Sequence, residues 1–321
     1  MNFKLLILSL CFLVNSSIDK NKTLITVIDK VTELPISYVN ISFGNNDGIY
    51  TNENGQFNLN LITADKMSLS ALGYKTKTVI SNSIINQIIV LNPENTQLEE
   101  VILDNTQRKF KTQKTKPIND KDYLNSYRNP IGNEIACFIE NRFNDNDVQL
   151  KSITIPSYNK TMDLKGPRKQ ILKRHPFSTL YKINFYENDN GRPGNNIKTE
   201  NITVLFNEKT DKLKINLETH QMYLPKTGCF ISLLNLGPAD DNGVLIPTSP
   251  FYERKTKKGT LQFPKHIRPY FPVNYQKNDH HTYQRTTFGA NKDWEIFYLN
   301  NSKIDTVNNI SLGHELKVFE D

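Results

Sequence analysis

Period-two alternation, broken by turn signals and nowhere giving way to a helical period, is what most constrains this 321-residue chain. Apolar residues three and four apart over ten or more positions would mark an amphipathic helix. No segment shows that pattern, whereas short alternating runs recur from Thr23 onward. In "YTNENGQFNLNL" (Tyr50 to Leu61), Phe57, Leu59 and Leu61 alternate with Gln56, Asn58 and Asn60. The Asn54-Gly55 pair between the runs supplies the positive φ that a tight hairpin turn demands. A hairpin is predicted here, its second strand reaching Leu61. In "ISYVNISF", Val39, Ile41 and Phe43 are expected to point inward, and Tyr38, Asn40 and Ser42 lie on the opposite face. With "TLITVID", "KMSLSALGY", "KTKTVI" and "NQIIVL", these runs predict a small β-sandwich over residues 18–103.

Residues 104–130 are polar, rich in Lys, Asn, Asp and Gln, and read as an interdomain linker. From residue 131 to 321 the alternation resumes, in "NEIACFIENRF", "VQLKSITIPSY", "TLYKINFYE", "NITVLFN", "KLKINLE", "GCFISLLNLG", "KDWEIFYLN" and "HELKVFE". The fold class is all-β: a small N-terminal sandwich followed by a larger sandwich of jelly-roll type.

The order of Leu34, Pro35, Val39 and Ile41, then Thr51, Gly55 and Phe57, then Gly73-Tyr74 resembles the carboxypeptidase-like regulatory domain over residues 22–92. The resemblance implies a transthyretin-like β-sandwich, the non-catalytic neighbour of a peptidase rather than the enzyme. "LEEVIL" (Leu98 to Leu103) is similar to a segment that follows this module in Bacteroidetes envelope proteins, TonB-dependent receptors among them. A last strand or ordered linker is the plainer reading of it. The remaining chain is too short for a plug and a large transmembrane barrel. "FYENDNGRPGNNI" and "LPKTGCFISL" are similar to an uncharacterised domain that accompanies the module in flavobacterial secreted proteins.

The first 17 residues, "MNFKLLILSLCFLVNSS", place one Lys before a short apolar run and read as a secretory signal peptide. Leu10 stands where a lipoprotein signal wants a small residue before Cys11. An extracytoplasmic location is therefore expected, periplasmic, outer-membrane-associated or secreted. Cys137 and Cys229 remain after cleavage, as one disulfide or as two buried thiols in strands. The formal net charge of +7 gathers in Arg108–Lys121, Gly166–His175 and Glu253–Gly259. These read as solvated loops and a linker, or else as a patch for an anionic envelope polymer or lipid headgroup. No recognition helix or RNP-like pattern points to nucleic acid.

A zinc carboxypeptidase needs His and Glu three residues apart with a distant second His. None of the six His is followed by such a Glu. His280-His281 would face opposite ways on a strand. No G-x-S-x-G or Gly-rich phosphate loop occurs. The acidic turns at Glu187-Asp189-Asn190 and Asp240-Asp241 read as plain Asx turns, with a structural Ca²⁺ as the alternative and no other cofactor. The aromatic loop "RPYFPVNY" contributes Tyr270, Phe271 and Tyr275, which with the sole Trp, Trp294, are the candidate ligand-binding residues. They would stack on sugar rings, or pack over the end of the sandwich. The expected function is a non-catalytic envelope binding or structural protein, with an envelope protein or a glycan as partner. Specific glycan recognition by the larger sandwich is the alternative, and an enzyme of unrecognised type a third reading.

Overall fold

In the computed structural model, residues 23–320 are described with breaks at 45, 95–107, 118–125, 144–145, 165–169, 198–199, 258, 266, 275–281, 290, 298–308 and 311. The expected signal peptide, "LEEVIL" and the His280-His281 pair lie outside the described residues. The N-terminal unit comprises β1 (Leu24–Asp29), β2 (Asn40–Ser42), β3 (Gly48–Tyr50), β4 (Gln56–Asn58), β5 (Lys66–Ser70), β6 (Lys77–Ile80) and β7 (Ile88–Leu91). They form two facing sheets, β4-β1-β7 and β3-β2-β5-β6. Ile25 and Val27 of β1, Val39, Ile41, Phe43, Phe57 and Leu69 fill the space between them, each under 10 % exposed.

The Asn54-Gly55 turn forms, but not as the predicted hairpin. Asn52 N donates to Gln56 O (2.9 Å), Gly55 N donates to Asn52 O (3.0 Å), and Gly55 sits at φ 69°. The strands on either side then part: β3 pairs with β2 and β4 with β1, so the turn carries the chain from one sheet to the other. The cause is Gly55 itself, whose carbonyl accepts from Val27 N of β1 (2.8 Å). A Cβ there would come within 2.8 Å of the Val27 carbonyl. The strand also ends at Asn58, whose side chain accepts from Asn60 N and starts a 3₁₀ turn over Leu59–Leu61.

The larger unit begins earlier than residue 131. Its strands are β8 (Phe110–Thr115), β9 (Ser126–Arg128), β10 (Asn133–Ile139), β11 (Val148–Pro156), β12 (Lys160–Leu164), β13 (Gln170–Arg174), β14 (Ser178–Asp189), β15 (Arg192–Asn196), β16 (Ile202–Asn207), β17 (Lys212–Asn216), β18 (Cys229–Pro238), β19 (Phe251–Thr256), β20 (Gly259–Pro264), β21 (Tyr270–Asn274), β22 (Tyr283–Thr286), β23 (Glu295–Ile296), β24 (Asn309–Ile310) and β25 (Gly313–Phe319). β8, taken from the sequence as linker, is the edge strand of the sheet β17-β11-β25-β8. All six of its side chains are exposed. An edge strand of Lys, Thr and Gln protects against further pairing, and for the same reason it lacks the apolar alternation that marks a strand.

That sheet packs on a second, β15-β14-β18-β10-β22-β23, with β16 also paired to β14. Ile135 and Ile139 of β10, Ile153 and Ile155 of β11, Phe185 of β14 and Leu316 of β25 meet in the core between them. Through β18 burial is continuous from Cys229 to Gly237, so this strand is covered on both faces.

Part of that outer cover is the small sandwich. Tyr50 joins Ile131, Leu180, Leu234, Leu236 and Phe288 in one buried cluster. The Phe288 ring lies so close to Gly48 on one unit and Gly132 on the other that a Cβ at either would fall 2.2 Å from it. Around this plug, Asn40 Nδ2 donates to Thr287 O (2.8 Å), Gly289 N to Ser42 Oγ (2.9 Å) and Ser249 Oγ to Asp47 Oδ1 (2.9 Å), while Tyr50 OH bonds Thr287 Oγ1. Asn40 and Ser42, on the face opposite Val39 and Ile41, are thereby buried as well.

Candidate functional site

Both outer faces of the larger sandwich carry charge, and they use it differently. On the sheet beside the small unit, Glu134 is 1 % exposed. Its Oε1 accepts from Ser232 Oγ (2.5 Å), Asn184 Nδ2 (2.7 Å) and Tyr186 OH (2.8 Å), and its Oε2 from Arg285 Nε (2.8 Å). Burial would raise its pKa; the Arg285 charge and these hydrogen bonds outweigh burial and hold it below the usual value. Arg285 stands over the Trp294 ring (4.2 Å to centroid) and the Tyr186 ring (5.2 Å). Acid, base and rings thus satisfy one another, an arrangement suited to holding strands together rather than to proton transfer. Lys182, half-buried between this network and the Leu180–Leu234 part of the interface, has its pKa pushed down to about 8 by burial, against the pull of Glu134.

The opposite outer face, on β17-β11-β25-β8, holds a cleft of about 740 Å³. The register builds it: Lys214 stands opposite Thr154, Lys212 opposite Pro156, and Glu315 opposite both Ser152 and Lys114. Glu315 is clamped by Lys114 (2.8 Å) and Lys214 (2.9 Å), whose hydrogen bonds bring its pKa down to about 2. Asp211 pairs with Arg174. His314 is pushed down from 6.5 by burial and then by Arg142, so it is neutral at pH 7. Five lysines (Lys114, Lys116, Lys160, Lys212 and Lys214) therefore face two carboxylates. Lys116, Lys160 and Lys212 have no ion-pair or hydrogen-bond partner among the described residues. Asn159, 1 % exposed, is part of the wall. Its Nδ2 donates to Asn207 O (3.3 Å) and to Thr210 O, while its Oδ1 accepts nothing among the described residues. Such a cleft can hold an anion that also donates hydrogen bonds.

The aromatic candidates among the described residues, Tyr270, Phe271 and Trp294, differ in setting. Phe271 is 0 % exposed, with its ring 5.5 Å from Tyr181 and 5.7 Å from Phe206 in the core. It is a core residue because the expected loop continues as β21, whose alternate residues Phe271 and Val273 face inward. Half-buried Tyr270 is covered by Arg128 (4.5 Å), as Trp294 is by Arg285. Tyr275 lies outside the described residues.

Asn190 and Gly191 take φ 52° and 86° and close the β14–β15 hairpin. The Asp240 Oδ1 accepts from Asn242 N and Val244 N, both at 2.9 Å, the bonding of an Asx turn. Among the described residues no three His, Cys, Asp or Glu come together as metal ligands. Cys137 and Cys229 are free and buried on neighbouring strands, their thiols pushed up to about 11 and about 12 by burial.

Sequence reasoning noted the basic stretch holding Lys114 and Lys116 but not the cleft. The available signal was "KLKIN", where Lys212 and Lys214 alternate with Leu213 and Ile215 and so share the outer face of β17. Among the described residues no helix is long and apolar enough to cross a membrane.

Residues 26–103 match the family model of the CarboxypepD_reg-like domain, a non-catalytic domain type. No curated protein and no solved structure matches the chain.

Proposed function

We propose that the protein is a non-catalytic binding and structural component of the extracytoplasmic envelope. In it the CarboxypepD_reg-like sandwich buttresses the larger sandwich, and the larger sandwich meets the ligand. The observation that carries this reading is the shared core around Tyr50 and Phe288. The small unit's second sheet is packed against the larger unit rather than open to a ligand, and the Glu134–Arg285 network beyond it is closed on itself. The leader-like first 17 residues support the location.

The test is fractionation of the native host followed by in-cell crosslinking of the mature protein, with both proteins and polysaccharides identified. Recovery in the envelope, shortened by the leader and crosslinked to an envelope protein or polysaccharide, is the expected result. A full-length protein retained in the cytoplasm would sink the location. Turnover of peptide or glycan substrates by the purified chain would sink the non-catalytic part.

A further inference from the structure

We propose that the lysine-lined cleft on the outer face of β17-β11-β25-β8 binds an acidic oligosaccharide, a sugar chain bearing carboxylates or phosphates. The proposal deepens the reading of the protein as a binding component and rests on it.

Three observations converge. The first is charge that has no internal use. Glu315 takes up Lys114 and Lys214, and Asp211 is held by Arg174, which leaves Lys116, Lys160 and Lys212 without partners among the described residues. Unopposed ammonium groups around a concave, partly apolar wall raise the local concentration of anions.

The second is spacing. Lys212 and Lys214 share one face of β17, about 7 Å apart at the ~3.4 Å rise of a strand. β17 and β8 are the two edges of a four-stranded sheet, so their backbones lie about 14 Å apart at ~4.8 Å per strand. Lysines bordering a trough of these dimensions match an extended ligand with repeated charges better than a single small anion.

The third is Asn159. Its Oδ1 is shut from solvent behind the cleft wall and accepts nothing among the described residues, so a donor in the cleft reaches it once the side chain turns outward. Sugar hydroxyls are donors; a carboxylate or a fully ionised phosphate is an acceptor only. The cleft thus asks for negative charge and hydroxyl groups on one molecule. The wall also offers Pro117, Pro156 and Pro272, apolar surface that suits the faces of sugar rings.

The test titrates the full mature chain with oligogalacturonate, neutral dextran and inorganic polyphosphate by calorimetry over a range of NaCl concentrations. Oligogalacturonate should bind at least tenfold more tightly than dextran, weakening as salt screens the lysines. Lys116→Ala/Lys160→Ala/Lys212→Ala should lose at least tenfold; all three side chains are exposed, so the fold tolerates the change. Asn159→Ala should weaken oligogalacturonate several-fold and leave polyphosphate unchanged. The proposal is overturned by equal affinity for dextran, or by an unaltered triple variant. It is also overturned by a tight polyphosphate complex that outcompetes oligogalacturonate. An envelope-located protein whose triple variant binds like wild type defeats the cleft alone. A cytoplasmic protein defeats the location, while the titration still decides the cleft.

Discussion

The larger sandwich has two outer faces, each with a buried or nearly buried glutamate at its centre, and the contrast between them separates architecture from recognition. On the face beside the small unit, Glu134 meets Arg285 and three neutral donors, and the surrounding surface is covered by Tyr50, Phe288 and Trp294. Among the described residues, Lys182 and Lys292 stand there without a carboxylate partner, Lys292 bonding the Ser70 hydroxyl. On the face of β17-β11-β25-β8, Glu315 meets two lysines, and three further lysines stay in solvent around it. A charge closed within the fold contributes through satisfied hydrogen bonds in low dielectric. A charge left open contributes little to stability and remains for a ligand.

Breaking the covered face should give the largest effects. Phe288→Ala removes the ring shared by the two units and leaves a cavity between Gly48 and Gly132, costing about 3–5 kcal/mol. Thermal unfolding should split from one transition into two, as the small sandwich loses its seat. A single unshifted transition would show that the units hold together without this plug. Arg285→Met should cost about 3 kcal/mol at neutral pH, because Glu134 is left charged and buried without its cation. The wild-type contribution of Glu134 is present above its unfolded pKa and is lost as pH falls through the lowered folded pKa. In the variant, protonation of Glu134 relieves the penalty. The gap between the two proteins should therefore narrow in acid; a gap constant down to pH 3 would refute the buried-charge account.

How far the sequence foretold this contrast follows from what alternation can signal. Val39, Ile41 and Phe57 were legible as core because they alternate with polar residues against an apolar interior. Asn40 and Ser42 were not legible as buried, since a polar residue that bonds another unit's backbone looks like one that faces water. β8 was missed because an edge strand of lysines has no apolar face, and the parting of β3 and β4 because a turn motif specifies the turn and not which sheet each arm joins. The cleft was only half legible. Lys114 and Lys116 stood in a marked basic stretch, but their meeting with Lys160, Lys212 and Lys214 depends on strand order, which periodicity does not encode.

Lys182 marks the margin of the covered face and should behave as its imperfection. The unfolded chain holds this proton up to about pH 10.4, the folded chain only to about 8. Between these values the unfolded state binds more protons, so stability rises with pH across that window. Lys182→Met removes the penalty and should stabilise the protein by about 1–2 kcal/mol at pH 7, half-burial reducing the full linkage value. The advantage should fade toward pH 10. A destabilised Lys182→Met would mean that the ammonium contributes to the face rather than straining it.

The open face should respond least in stability and most in binding, and Glu315→Gln separates the two. The residue is hydrogen-bonded by Lys114 and Lys214, both exposed, so its loss should cost no more than about 1 kcal/mol. Its lowered folded pKa places that contribution above the unfolded value of about 4.3, with loss as pH falls toward about 2. The substitution also frees the two lysines from their internal carboxylate and removes one negative charge from the cleft. If this face is kept for an anion, oligogalacturonate should bind Glu315→Gln several-fold more tightly than wild type, with a steeper dependence on salt. Equal or weaker binding would mean that Glu315 positions Lys114 and Lys214 for the ligand and that geometry outweighs net charge. Arg285→Met, made on the other face of the same sandwich, should leave this affinity unchanged wherever the protein stays folded, because its charge was never available to a ligand.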